Sequence, residues 1–271
     1  MSTLALGRWK TRVAYVRSAI DLLRAARGYD RVVLVTGGVE LFVLAALLPR
    51  SKTLIAADWL MPASTMLDRS RLLRRVRFVV IRRSDMTTLA TRFGVTDARF
   101  VPFPASEPSG QASEHEYVYS GGWAHRDWPT LLAALEQTGI PAVISTGHRL
   151  AAPPNVSVVD QLSPEEGRER MRSSRVVALA FSETTLPSGP TVLLDAMVEG
   201  KAVVVTDVGG TRDYADDDRE ALLVPPGDVN ALVRALSRLW EDSSLRLRLG
   251  TAARERASGM TSERFWHEVL R

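Results

Sequence analysis

A helix that begins directly after a loop of small residues offers free backbone N–H groups and the positive end of its dipole to an anion. The segment Ser188-Gly189-Pro190-Thr191-Val192-Leu193-Leu194-Asp195 has that pattern and follows the apolar run Val176-Val177-Ala178-Leu179-Ala180. Ser188, Gly189, Thr191 and Val192 are therefore candidates for cradling a diphosphate. Asp195, one turn into the helix, is placed to accept hydrogen bonds from a ribose diol. The plainer alternative makes Ser188 part of a cap and Asp195 a solvated first-turn acid. Gly37-Gly38 also follows an apolar run but lacks GxGxxG spacing, and any tight strand-to-helix turn uses glycine. Other chemistries are poorly supplied. The chain has no Cys, which removes disulfides, thiolate metal sites and cysteine nucleophiles and suits a reducing compartment. Its four His, at 115, 125, 148 and 267, form neither HExxH nor a cluster, so no metal site is expected.

Such a loop works only if strands and helices alternate around it, and they do. Residues 8–27 space Trp9, Val13, Val16, Ile20 and Leu23 as an amphipathic helix flanked by Lys10, Arg17 and Arg24. Strands are expected at Arg31–Val35, Thr53–Ala57 and Arg77–Ile81. The apolar stretch Val32–Leu48 approaches a membrane-spanning length. Glu40 lies inside it, however, and a mid-bilayer carboxylate costs about 2.5 to 3.5 kcal/mol, so a strand-turn-helix unit is expected instead. Pro, Ser, Gly and Glu concentrate over 102–114, the best linker. The alternation then restarts, with strands at 117–120, 142–146, 176–181, 202–206 and 221–224 and helices at 129–136, 163–172, 191–199 and 229–240. The fold class expected is α/β with parallel sheets in two Rossmann-like domains, the first reduced to roughly three strands.

Charge divides the same way. Residues 1–110 hold 18 Lys and Arg against 8 Asp and Glu, a formal +10, which leaves −6 for the rest of a chain whose total is +4. The cluster Arg69, Arg71, Arg74, Arg75, Arg77, Arg82 and Arg83 fits an anionic acceptor or an anionic membrane leaflet, and fits equally an arginine-rich solvated surface. Nucleic acid is not expected, because no aromatic residues interleave with the cluster. No secretion signal is apparent, so the expected location is cytoplasmic, with possible peripheral attachment at the inner face of the membrane.

The run SGPTVLLDAMVEGKAVVVTDVGGTRDYADDDREALLVPPGDVNALVRAL, residues 188–237, resembles the donor-binding core of family 4 glycosyltransferases (glycosyl transferases group 1, GT-B fold). Relatives carry E-x7-E-A-M-A-x-G-x-P-V-V-x-T-D-V-G-G followed by G-L-L-V-P-P-G-D. Residues 117–132, YVYSGGWAHRDWPTLL, are similar to the family's first donor-domain strand and loop. The resemblance implies domains at 1–106 (acceptor side) and 115–258 (nucleotide-sugar donor), a linker at 107–114, and a C-terminal helix, 259–271, returning to the first domain. It implies retaining transfer from a nucleotide-sugar donor to a small-molecule, lipid-linked or glycan acceptor, without a cofactor. It gives Gly121, Gly122 and Arg126 to the donor phosphates. Departures are plain: Pro187 stands at the first acid and Trp123 at an expected arginine, for which Arg149, after Gly147-His148, is the candidate replacement. Relatives often show His-Asp where this chain has Ala57-Asp58, so Asp58 is expected either to orient an acceptor hydroxyl or merely to end a strand. The alternative function is a noncatalytic GT-B subunit that binds a nucleotide sugar and supports another transferase.

Overall fold

The computed structural model describes residues 20–271 except 36, 39, 60, 62–67, 69, 111, 123 and 183–189. It divides into two units, Met1–Val101 with Glu268–Arg271, and Pro102–His267.

In the first unit, four strands pair in parallel in chain order: β1 (Arg31–Val35), β2 (Thr53–Ala57), β3 (Val76–Val80) and β4 (Arg99–Phe100). The fourth, only two residues long, is one more than the sequence predicts. The stretch from Val32 to Leu48 is β1 followed by helix α1 (Glu40–Leu47), whose Leu41, Phe42, Leu44 and Ala45 are buried against the sheet. Phe42, Trp59, Phe78 and Phe93 form the centre of this core, with ring centroids 5.2 to 6.4 Å apart. The Trp59 indole N–H donates to the Gly38 carbonyl at 2.8 Å, which pins the end of β2 to the turn after β1. Of the predicted helix at 8–27, residues 1–19 lie outside the described set and residues 20–25 are helical.

Much of this unit's arginine is spent internally. Arg75 donates to the carbonyls of Ala45, Leu48 and Pro49 at the end of α1, and Arg82 binds Asp85 in the short helix α2 (Arg83–Thr88). Arg31, Arg77 and Arg99 donate to the carbonyls of Leu270, Arg271 and Glu268, a favourable place for cations because the unpaired carbonyls of a helix end carry partial negative charge.

The second unit contains six parallel strands: β5 (His115–Gly121), β6 (Ala142–Ser145), β7 (Val156–Val159), β8 (Ser174–Leu179), β9 (Val203–Thr206) and β10 (Leu222–Val224). Their spatial order is β10-β9-β8-β5-β6-β7. The chain moves outward one way from β5 and the other way from β8, so strand order reverses between these two neighbours. Helices α3 (Trp128–Thr138) and α7 (Val229–Glu241) cover one face; α4 (Pro164–Ser173) and α5 (Thr191–Val198) cover the other. The short α6 (Thr211–Tyr214) follows β9, and α8 (Ser243–Ser258) and α9 (Ser262–Leu270) end the chain. Burial on both faces is why β8 and β9 read as continuous apolar runs.

The stretch 102–114 packs on this unit. Phe103 N–H donates to the Tyr214 hydroxyl at 3.1 Å, Ala105 N–H to the Met260 carbonyl, and Ser109 to Glu199 through both backbone and hydroxyl.

Candidate nucleotide-sugar site

In open parallel sheets, ligands bind beyond the carboxyl ends of the strands where strand order reverses. Here that place is the ends of β5 and β8, and a cavity of about 490 Å³ opens there. Gly121, Gly122 and Arg126 line it from the β5 side, Phe181 follows β8, Ser145 ends β6, and Thr191, Val192 and Asp195 come from α5. Pro164, Gly167, Arg168 and Met171 share one face of α4 toward it, at helical spacing.

Arg126 is fixed from several sides. Its Nε and Nη2 donate to the Gly121 carbonyl at 3.0 and 2.6 Å, and its guanidinium lies 4.5 Å from the Phe181 ring centroid. A backbone bridge between Arg126 and Phe181 and the bond from Ser182 N–H to the His125 carbonyl join this loop to the end of β8. Asp127 then caps α3 by accepting from Thr130. Gly122 has φ +113°, and a Cβ there would stand 2.4 Å from Arg126 Nη2, so the glycine makes room for the guanidinium. Nη1 is buried and meets no acceptor among the described residues. Burial pulls the arginine pKa down to about 10, and it remains a cation at neutral pH.

The two helix starts differ. Ser163 and Glu166 close the start of α4 with a reciprocal capping box. Pro190 stands at the start of α5, where no side chain among the described residues caps the first N–H groups, and Thr191 and Val192 of that first turn line the cavity. One turn on, burial raises the pKa of Asp195, while the Ser106 hydroxyl that donates to it and the charge of Arg168 oppose the shift.

Asp58 belongs to the first unit. It follows β2 with φ 50°, unusual for a residue with a side chain, and its backbone N–H donates to the Val79 carbonyl at 3.0 Å. Its Oδ1 is buried without a hydrogen-bond partner among the described residues, and burial raises its pKa against the lowering influence of Arg82.

Residues 148–256 match the family of glycosyl transferases group 1. The structure is similar to a glycosyltransferase from Rickettsia africae, with TM-score 0.75 and 11% identity over 94% of this chain and 79% of that one. It is also similar to the Anabaena HepE protein in complex with UDP-glucose, with TM-score 0.73 and 16% identity over 93% of this chain and 80% of that one. The chain has the GT-B fold. The family match lies within its second unit. An exopolysaccharide phosphotransferase of Streptomyces coelicolor is 35% identical over 98 residues, which are 33% of this chain and 10% of that protein, so the match spans about a tenth of its length.

Within this GT-B chain, Gly121, Gly122, Arg126, Thr191, Val192 and Asp195 line one cavity. Ser188 and Gly189 lie outside the described residues, as do Pro187 and Trp123. Gly147 and Arg149 are exposed and do not line the cavity. Arg168 was not anticipated from the sequence, because it sits among Glu165, Glu166, Glu169, Arg170 and Arg172 on a helix whose charge gives no face away. The spacing of Pro164, Gly167 and Met171 marks that face only once the cavity is seen.

Proposed function

We propose that this chain transfers a sugar from a nucleotide-sugar donor to an acceptor hydroxyl with retention of anomeric configuration. The observation that carries the reading is that Arg126, whose buried Nη1 has no partner among the described residues, and the start of α5, which no described side chain caps, line one cavity at the reversal of strand order. A desolvated cation and free helix N–H groups stabilise a diphosphate, and do so most as it departs and gathers charge. Asp195 receives the ribose diol. As the bond from the anomeric carbon to the diphosphate oxygen breaks, the acceptor oxygen bonds to that carbon and its proton passes to a phosphate oxygen of the leaving group. Asp58, whose Oδ1 has no hydrogen-bond partner among the described residues, orients the acceptor hydroxyl. Catalysis then rests on positioning and electrostatics, with no cofactor or metal in the proposal.

For the acceptor we propose an anionic or lipid-linked glycan met at the inner face of the membrane. Arg71 and Arg74 are exposed beside Leu72, itself 41% exposed. Among the described residues no helix is long and apolar enough to cross a membrane, so this contact would be peripheral.

The deciding experiment incubates the protein with UDP-, GDP-, ADP- and dTDP-sugars and measures release of nucleoside diphosphate, with Arg126→Ala and Asp195→Ala alongside. Turnover lost in both variants supports the enzyme. Nucleotide binding without turnover in the wild type favours the noncatalytic subunit, and no binding at all ends the donor-site reading.

A further inference from the structure

Two cations line the donor cavity from different elements, and each has a buried nitrogen with no acceptor among the described residues. Arg126 lines it from the loop after β5 and has its Nη1 buried; Arg168 lines it from α4 and has its Nε buried. Among the described lining residues the only carboxylate is Asp195, which accepts from Ser106 and interacts with Arg168 through charge without forming an ion pair. The wall therefore has more positive than negative charge. The helix start on the α4 side cannot serve an anion as readily, because Ser163 and Glu166 already occupy it. Any attraction for an anion from that wall has to come from the Arg168 side chain.

We propose that Arg168 is the second cation for the donor's diphosphate, so that one phosphate faces Arg126 and the other Arg168. The assignment rests on the donor-site reading above. It replaces Arg149, which is exposed and outside the cavity, as the partner of Arg126. An arginine suits the task because its guanidinium stays charged when desolvated and can hold two phosphate oxygens at once, and a helix holds it more firmly than a loop would.

The test is calorimetric titration of the full chain with UDP, GDP, ADP and dTDP, then with the nucleoside of whichever diphosphate binds, for wild type, Arg126→Ala, Arg168→Ala and Arg168→Lys. Arg168→Ala is expected to weaken the diphosphate about tenfold or more and leave the nucleoside within about twofold, with Arg168→Lys between. Wild-type affinity in Arg168→Ala beside a weakened Arg126→Ala would overturn the assignment and leave the donor site standing. An equal loss for nucleoside and diphosphate would also overturn it, since Arg168 would then be acting on the ribose through Asp195. Failure of all four diphosphates to bind the wild type would remove the donor site as well. Thermal melting of each variant checks the fold, and Arg168→Lys carries the comparison if the alanine variant does not fold.

Discussion

Burial works against the charged forms of both Arg126 and Asp195, lowering the pKa of the first and raising that of the second. The costs are local and give separate predictions. Gly122→Ala puts a methyl group where the guanidinium lies, and adds a side chain at φ +113°. It should lower donor affinity as far as Arg126→Ala does, measured by titration with the diphosphate that binds. Unchanged affinity would show that Arg126 relocates at no cost. Asp195 behaves differently with pH. Its folded pKa is raised, chiefly by burial, so the folded state binds more protons than the unfolded chain between the unfolded and folded values. Stability therefore falls as pH rises through that window, the reverse of a salt-bridged carboxylate. Asp195→Asn should accordingly raise the melting temperature at neutral pH while weakening donor binding. It should also abolish a wild-type loss of affinity on acidification that sets in above the ordinary carboxylate range.

Among the elements, α8 shows what periodicity alone conveys poorly. Its buried residues include Leu245, Arg246, Leu249, Gly250, Ala253 and Ala257, half of them Gly or Ala and one an arginine, so no broad apolar stripe announces it. The first half joins the core on one face of the sheet and the second half the core on the other. Gly250 sets how close it comes, since a Cβ there would lie 2.1 Å from the Gly200 carbonyl oxygen. Gly250→Ala should cost about 1 to 3 kcal/mol in denaturant unfolding, because backbone has to move; a change below about 0.5 kcal/mol would contradict that. Nearby, a cavity of about 560 Å³ is lined by Lys201, Arg246 and Arg254, but these cations are engaged. Arg246 makes four hydrogen bonds, to Glu114 and to the carbonyls of Leu239 and Trp240. Lys201 donates to the carbonyls of Ser113 and Arg172, and Arg254 to those of Val198 and Glu199. Burial brings the Lys201 pKa down to about 8, because loss of water disfavours its charged form.

At the scale of the whole molecule, the formal +10 of residues 1–110 overstates the charge offered to a partner. Arg31, Arg75, Arg77 and Arg99 cap backbone carbonyls, Arg82 and Arg92 bind Asp85 and Asp68, and Arg83 lies 4.3 Å from the Phe100 ring centroid. Of the cluster, Arg71, Arg74, Arg77 and Arg83 are exposed, and Arg71 and Arg74 flank the exposed Leu72, while Arg69 lies outside the described residues. The full chain should co-sediment with phosphatidylglycerol vesicles and not with phosphatidylcholine alone. Salt should weaken the binding, since exposed charges are screened, and Arg71→Ser with Arg74→Ser should reduce it. Equal sedimentation with both lipids would remove the electrostatic contact.

The order of amino acids was enough for the alternation of strands and helices, the parallel sheets and the start of α5. Each depends on neighbours within a few residues: apolar runs bounded by turns, and a helix beginning at Thr191 after Ser188-Gly189-Pro190. It was not enough for β4 and β7, whose two and four residues, only partly buried, gain their pairing from strands distant in the chain. Nor did it place Arg168 in the cavity, Arg149 outside it, or the arginines of the first unit on carbonyls far away in sequence. Those outcomes depend on which helix face a fold turns inward and which charges lose their water, and both are decided only when remote segments pack together.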